Sequence, residues 1–388
     1  MKILAAPDLH CFWPNYSRTL EDGTPSRLHD WRRTASALAD VAMVHNVAVA
    51  LFPGDFFPNS RPAPAQVLEV VELFSRLEQL GISVVGCAGN HDLLGPGQPS
   101  PVDVVARFSP DGMRWGITKP SWVKLDGLNV VVLPSVKVPQ TNGDPAAAAQ
   151  ELSEELIKVA RALVAQAMDW KPQPTVIMGH WAISGCSLAA GNVLAATEPT
   201  LPLGELQSLP VQAVVMGHIH TPQVLATNPL VLHTGTFERH DFGEEGIQPG
   251  CYVIDLDTQK AEFIPLPARK FVTLDLNNLP PNTLDDKKRM AELVKDAVVR
   301  VKYRCTEEDA KFMDHTKIAQ KINEAGAFML AGIYPDIIRS ERSREASINE
   351  STSPIEALKK WLALRDDISP ELKAKVIAAA EGLIKEVA

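Results

Sequence analysis

Through about residue 220 the chain alternates short, mostly apolar runs with longer amphipathic stretches. Lys2–Ala6, Ala48–Phe52, Ser83–Cys87, Asn129–Leu133, Thr175–Met178 and Ala213–Met216 read as strands buried on both faces. Between them, Leu28–His45, Ala65–Leu80, Ala146–Met168 and a shorter stretch near Leu203–Leu209 carry apolar residues at helical spacing. Strand and helix in repetition predict an α/β layered core with a central sheet. Polar residues and histidines follow the C-terminal ends of the strands, where open α/β sheets place their sites.

From Val224 to Pro265 the pattern turns β-rich, with strands expected at Leu230–His233, Cys251–Leu256 and Ala261–Ile264. Pro265-Leu-Pro267 reads as a boundary. Beyond it, Phe271–Leu276, Thr283–Asp296, Val298–Tyr303, Glu307–Asn323 and Ala327–Ile333 read as strand, helix, strand, helix, strand, a small α+β domain. Ser340–Pro354, rich in Ser, Glu and Arg, reads as a linker. Ser353-Pro354 and Ser369-Pro370 each set a capping hydroxyl before a proline at the first helical position, predicting two closing helices. Three regions are expected: 1–267, 268–346 and 347–388.

With 388 residues, 45% hydrophobic and 22% charged, the chain can bury two or three domain cores, which excludes wholesale disorder. No apolar run reaches the roughly 18–20 residues of a membrane helix, and Met1–Pro7, followed at once by Asp8, is too short for a signal peptide. No membrane partner is expected. Cys11, Cys87, Cys186, Cys251 and Cys305 are scattered and form no C-x-x-C pair, which argues against a disulfide framework or a zinc knuckle. The expected location is a reducing cytoplasm. The net charge of −9 argues against coating nucleic acid through bulk positive charge. A phosphodiester substrate remains open, because divalent metals supply positive charge locally. Residues 268–346 hold 15 Lys and Arg against 13 Asp and Glu, a mild basic bias that by itself reads as solvated faces.

Five short motifs follow predicted strands: Asp8-Leu9-His10, Gly54-Asp55, Gly89-Asn90-His91-Asp92, Gly179-His180 and Gly217-His218-Ile219-His220. Singly, each is weak, since a lone histidine is more often structural than a ligand. Together they differ in kind, because all follow buried strands and their glycines permit a tight exit from the sheet. In extended chain, residues i and i+2 share a side, so Asp8 with His10 and His218 with His220 can each face one ion. Asp8, Asp55, Asn90, His10, His180, His218 and His220 are too many ligands for one ion. They suit two divalent ions about 3.5–4 Å apart, with Asp55 as bridge. Nitrogen and oxygen donors without thiolate favour Mn, Fe or Zn over a soft metal.

The order D-x-H, G-D, G-N-H-D, G-H, G-H-x-H resembles the signature of the calcineurin-like metallophosphoesterase superfamily. Thr234–Glu245, Gly250–Asp255 and Ala268–Leu274 further resemble SbcD-type DNA repair nucleases. The resemblance implies a layered metallophosphoesterase β-sandwich flanked by helices, a small α+β capping domain and a C-terminal helical tail. It implies one ion on Asp8, His10, Asp55 and His220, and a second on Asp55, Asn90, His180 and His218. His91 would stabilise the transition state or protonate the leaving oxygen, with Asp92 orienting it. Implied with these are Mn2+, DNA as substrate, a homodimer through helices such as Ala65–Leu80, an SbcC-like coiled-coil ATPase and, in a bacterium, the nucleoid.

Two departures from that pattern stand out: Cys11-Phe12 after D-x-H, and Pro58 three residues after Asp55. Cys11 is expected to be a buried structural thiol. His29, His45, His233, His240 and His315 lie outside the motifs, and a structural or surface role is expected for all five, although His233 and His240 lie where substrate could approach. In the tail, Leu372, Val376, Ile377, Ala380, Leu383, Ile384 and Val387 make one apolar helical face. It suits equally a partner's coiled coil or packing on its own chain. The leading function is a Mn-dependent DNA exo/endonuclease of an SbcCD-like complex. The alternative is a metallophosphoesterase acting on small nucleotides or phosphoproteins.

Overall fold

The structure, a computed structural model, describes residues 1–95, 98–136, 144–189, 193–280, 282–338, 353–365 and 368–387. The chain opens with β1 (Lys2–Ala5), α1 (Ser26–Val44), β2 (Val49–Phe52), α2 (Pro64–Gln79), β3 (Ser83–Gly86) and α3 (Pro101–Ala106). Next come β4 (Ser121–Leu125), β5 (Leu128–Leu133), α4 (Pro145–Trp170), β6 (Thr175–Gly179), β7 (Ala182–Ile183), β8 (Thr200–Leu201) and α5 (Leu203–Gln207). The β-rich stretch holds β9 (Ala213–Met216), β10 (Gln223–Thr227), β11 (Leu230–His233), β12 (Gly250–Asp255) and β13 (Lys260–Pro265).

The expected central sheet is two sheets. One runs β13-β12-β1-β2-β3 and the other β10-β11-β9-β6-β5-β4. Alternate residues of the strands explain the layering. Ile3, Ala5, Val49, Leu51 and Val85 of the first sheet share a core with Val130, Val132, Val176, Met178 and Val215 of the second. The opposite faces bury Leu4, Ala50, Phe52 and Val84 against Trp31, Leu38, Phe74 and Leu77 of α1 and α2, and Val131, Ile177 and Val214 against Leu156, Ala160 and Val164 of α4. A run that is apolar on both faces cannot say whether a helix or a second sheet covers it, so the sequence leaves one sheet and two indistinguishable. The sandwich implied by the resemblance is what forms.

β1, β2 and β3 are parallel, as are β5, β6, β9 and β11. All five motif loops therefore leave C-terminal strand ends. Further along are β14 (Phe271–Asp275), α6 (Lys287–Val294), β15 (Val298–Thr306), α7 (Glu307–Ala310), α8 (His315–Glu324) and β16 (Met329–Ile338), the strands ordered β14-β15-β16. The helix expected over 283–296 begins only at Lys287, because Asn282 is left-handed (φ 61°) and the Asp286 side chain caps the Arg289 N–H.

The chain divides into two compact units. One is Met1–Leu274 with Leu279–Val301 and Thr316–Gly332, and the other is Asp275–Asn278 with Lys302–His315 and Ile333–Ala388. The boundary expected at 267/268 falls inside the first unit. The expected linker, apart from Ser353 and Pro354, lies outside the described residues. The closing helices are α9 (Pro354–Ala363) and α10 (Pro370–Val387), and Ser353 and Ser369 accept from the Glu356 and Leu372 N–H groups as their sequence predicts. Among the described residues, no helix is long and apolar enough to cross a membrane.

Candidate metal centre

The loops after β1, β2, β3, β6 and β9 converge, and main-chain bonds brace them to one another. His10 N–H donates to Asp55 O at 2.9 Å, His91 N–H to Asp55 Oδ1 at 2.9 Å and His218 N–H to Asp8 Oδ2 at 2.8 Å. Convergence forces unusual backbone: His10, Asp55 and His218 have φ of 37°, 47° and 78°. Such conformations cost on the order of 1–3 kcal/mol each and persist where the surroundings over-determine them. Glycine is required beside them for space. A Cβ on Gly89 would lie 2.1 Å from Asp55 Oδ1, and one on Gly217 would lie 2.4 Å from Asp8 Oδ1.

Each histidine is held through its outer ring nitrogen by an acceptor. His10 Nδ1 faces Phe57 O at 3.3 Å, His180 Nδ1 faces Pro53 O at 2.8 Å, and His220 Nδ1 faces Glu244 Oε1. His218 Nε2 lies 2.9 Å from Glu198 Oε1. Carbonyl and carboxylate oxygens only accept, so in the neutral rings, the form that can ligate a metal, these nitrogens carry the proton and the inward ones present lone pairs. The inward atoms then face other acceptors. His10 Nε2 lies 3.2 Å from His220 Nε2, His180 Nε2 is 3.0 Å from Asn90 Oδ1 and 3.2 Å from Asp55 Oδ2, and His218 Nδ1 is 3.2 Å from Asn90 Oδ1. Asp8 Oδ1 is buried with no hydrogen-bond partner among the described residues. Electron pairs converging on electron pairs in a buried site fit cations. All seven expected ligands are brought together, and the donor set fits two divalent ions.

The electrostatics agree. Burial pushes the Asp8 carboxyl up to about 6, partly opposed by His180. Burial would raise Asp55 too, but His180 and His10 hold it well below the ordinary carboxylate range. Burial disfavours charge on His180, yet Asp55 and Asp8 outweigh it and lift the imidazole to about 10. A proton there does what a metal ion would do: it neutralises two buried carboxylates.

His91 stands beside the centre, its ring 5.0 Å from that of His10. The expected pairing with Asp92 is corrected by the structure. His91 Nδ1 donates to the Pro58 carbonyl at 3.0 Å, while buried Asp92 accepts from the N–H groups of Gly89, Phe57 and Phe56 at 2.8, 3.0 and 3.2 Å. Asp92 thus ties the Asp55 loop to the Asn90 loop. Because the contact at Pro58 is made by backbone, its departure from the resembled pattern leaves His91 anchored.

Glu198, Glu244 and His240 are the residues that sequence reasoning missed. Glu244 sits within a quoted resemblance but outside any ligand motif, and nothing local marks Glu198. His29, His45, His233 and His315 take the structural or surface roles expected: His233, for example, is buried and donates to Gly217 O at 3.1 Å. His240 is the exception, with its ring 4.8 Å from that of His10.

Residues 1–222 match the family model described as calcineurin-like phosphoesterase. The chain belongs to that family. It is accordingly a metal-dependent hydrolase of phosphoesters. No curated protein matches it. Among solved structures, TT1561 of Thermus thermophilus is 12% identical over 68% of this chain and 98% of its own, with a TM-score of 0.39. A dimetal phosphatase from Danio rerio is 12% identical over 65% and 91%, with a TM-score of 0.41.

Proposed function

We propose that this phosphoesterase is the nuclease subunit of an SbcCD-like complex, a Mn-dependent DNA exo- and endonuclease of repair or recombination. The observation that carries this reading is the segment from Thr234 to Leu274. Its SbcD-like residues are also those that set Glu244 on His220 and Arg269 on Asp30, building the entry to the added α+β region into the phosphoesterase unit. Two features of the helices support partners. Trp361, Leu364, Leu372, Val376, Leu383 and Ile384 are exposed on α9 and α10, as a coiled-coil ATPase contact requires, and Leu68 is exposed on α2, the helix expected at a homodimer interface. In this reading 268–346 is the capping domain and 347–388 the linker and partner-binding tail.

Asp8, His10, Asp55 and His220 would hold one ion, and Asp55, Asn90, His180 and His218 the other. When bound, two such ions neutralise a phosphodiester and supply activated water. The protein's own part is orientation. Glu198, Glu244, Phe57 O and Pro53 O fix the tautomers, and Pro58 O fixes His91 so that its Nε2 can hold or give a proton at the leaving oxygen. The direct test is cleavage of linear duplex DNA and of a chromogenic phosphodiester, with and without Mn2+, in wild type and His91→Ala. DNA degradation requiring both Mn2+ and His91 is expected. Ester hydrolysis with DNA left intact, even with an ATPase partner added, would overturn it.

A second reading, hydrolysis of small nucleotides or phosphoproteins, is favoured by the fate of the basic residues. Arg269 is engaged by Asp30, Arg300 by Thr273 and the Phe242 ring, and Arg304 by Asp336.

A further inference from the structure

His240 follows β11, outside the five motifs, and is only 7% exposed. Its ring meets that of His10 edge-on at 4.8 Å and that of His220 at 5.5 Å, while Trp13 tilts against it at 5.2 Å. One ring nitrogen from each of His10, His220 and His240 lies within 4.8 Å of the other two.

Hydrogen bonding fixes its tautomer. Thr236 Oγ1 gives its single proton to Glu238 O at 2.7 Å, so toward His240 Nε2, 3.2 Å away, it can only accept. Nε2 therefore carries the ring proton and Nδ1 the lone pair. Nδ1 is buried and has no hydrogen-bond partner among the described residues. A buried acceptor of this kind is costly unless something electropositive meets it. His240 thus resembles His10 and His220 in having one ring N–H engaged and its other nitrogen left bare.

We propose that His240 is a third imidazole ligand of the ion held by Asp8, His10, Asp55 and His220. The inference rests on the two-ion reading above and makes the two sites chemically unequal. The first has three imidazoles and two carboxylates, and the second has two imidazoles, one amide and the shared carboxylate. Imidazole favours Zn, Fe and Co over Mn and Mg, so the first site would prefer the former ions.

The test is to titrate the full-length, chelator-stripped protein with Co2+, following heat and visible d–d absorption. Wild type is expected to bind two ions. His240→Gln, which keeps a polar group against Thr236, is expected to bind one of them at least about tenfold more weakly, with a changed d–d band for that ion. Two ions bound by a folded His240→Gln with wild-type affinity and spectrum would overturn the assignment. A crystal structure of Zn-loaded wild type tests it without a variant. Nδ1 should lie about 2.0–2.1 Å from the ion, and a ring more than about 3.5 Å away would refute it. Wild type binding fewer than two ions would bring down the two-ion reading itself, and this inference with it.

Discussion

Arg269 straddles the carboxylate of Asp30, with Nε 2.6 Å from Oδ2 and Nη2 2.5 Å from Oδ1. Asp30 also lies 3.5 Å from Arg27 Nη1, whose Nη2 is 3.2 Å from Glu238. With Arg33 Nη2 3.5 Å from Asp30 Oδ1, three cations therefore surround two buried anions at the seam between α1, the post-motif segment and the entry to β14, and of the three only Arg33 is half-exposed. The Arg269 guanidinium also stacks 3.7 Å from the Phe328 ring centroid. Arg269→Ala removes the two-pronged partner of Asp30 but leaves Arg27 and Arg33 beside it, so it should cost about 1.5–3 kcal/mol in urea unfolding. A loss under about 1 kcal/mol would mean the pair contributes no more than one on the surface.

Asp55 and His91 should separate metal binding from turnover. Asp55→Asn removes the proposed bridge and is expected to abolish hydrolysis and lose at least one ion. His91→Ala should keep both ions yet lose about 10²–10⁴-fold in turnover. Elemental analysis beside the rates decides: loss of metal from His91→Ala would make it a ligand, and two ions with normal turnover in Asp55→Asn would refute the bridge.

Gly89→Ala adds one methyl in a crowded place. Its Cβ would meet the Asp55 backbone N at 2.3 Å as well as Oδ1 at 2.1 Å, and neither can withdraw without moving the loop. Metal affinity should fall at least about tenfold, with thermal stability also reduced. Gly81→Ala is the control. It has open space around it and a left-handed φ of 78°, so it should cost stability without touching the metals.

Thiol chemistry should follow burial. Cys11, Cys87 and Cys251 are buried, and burial pushes all three thiols up, Cys251 to about 12. Cys186 and Cys305 are partly exposed, although burial pushes the Cys186 thiol up as well. Titration of native protein with a disulfide reagent should find two accessible thiols, Cys186 the slower, rising to five in denaturant. Rapid modification of Cys11 in native protein would overturn its structural role and point to redox chemistry beside the metal centre.

Deleting residues 354–388 should leave hydrolysis of a small phosphodiester within about twofold while abolishing ATPase-partner binding. Survival of partner binding would show that α9 and α10 serve their own chain.

Much of this was legible in the sequence because it is local. Most strands and helices of the first two-thirds follow from hydrophobic period and length. β4 and β10 escaped because they are half-exposed edge strands without a continuous apolar run, and α3, β7 and β8 because they are too short to show a period. The seven expected ligands were legible for a different reason. Each directly follows a buried strand, so parallel packing carries all of them to one end of the sandwich. The sequence by itself thus determined which residues meet. It could not determine how they are held. That Asp92 braces two loops instead of orienting His91, that Glu198 and Glu244 hold two of the imidazoles, and that His240 joins the cluster all depend on chain segments far apart in sequence. Hydrogen bonds and buried charge act over a few ångströms of space, whatever the separation along the chain, and only the tertiary structure decides those neighbours.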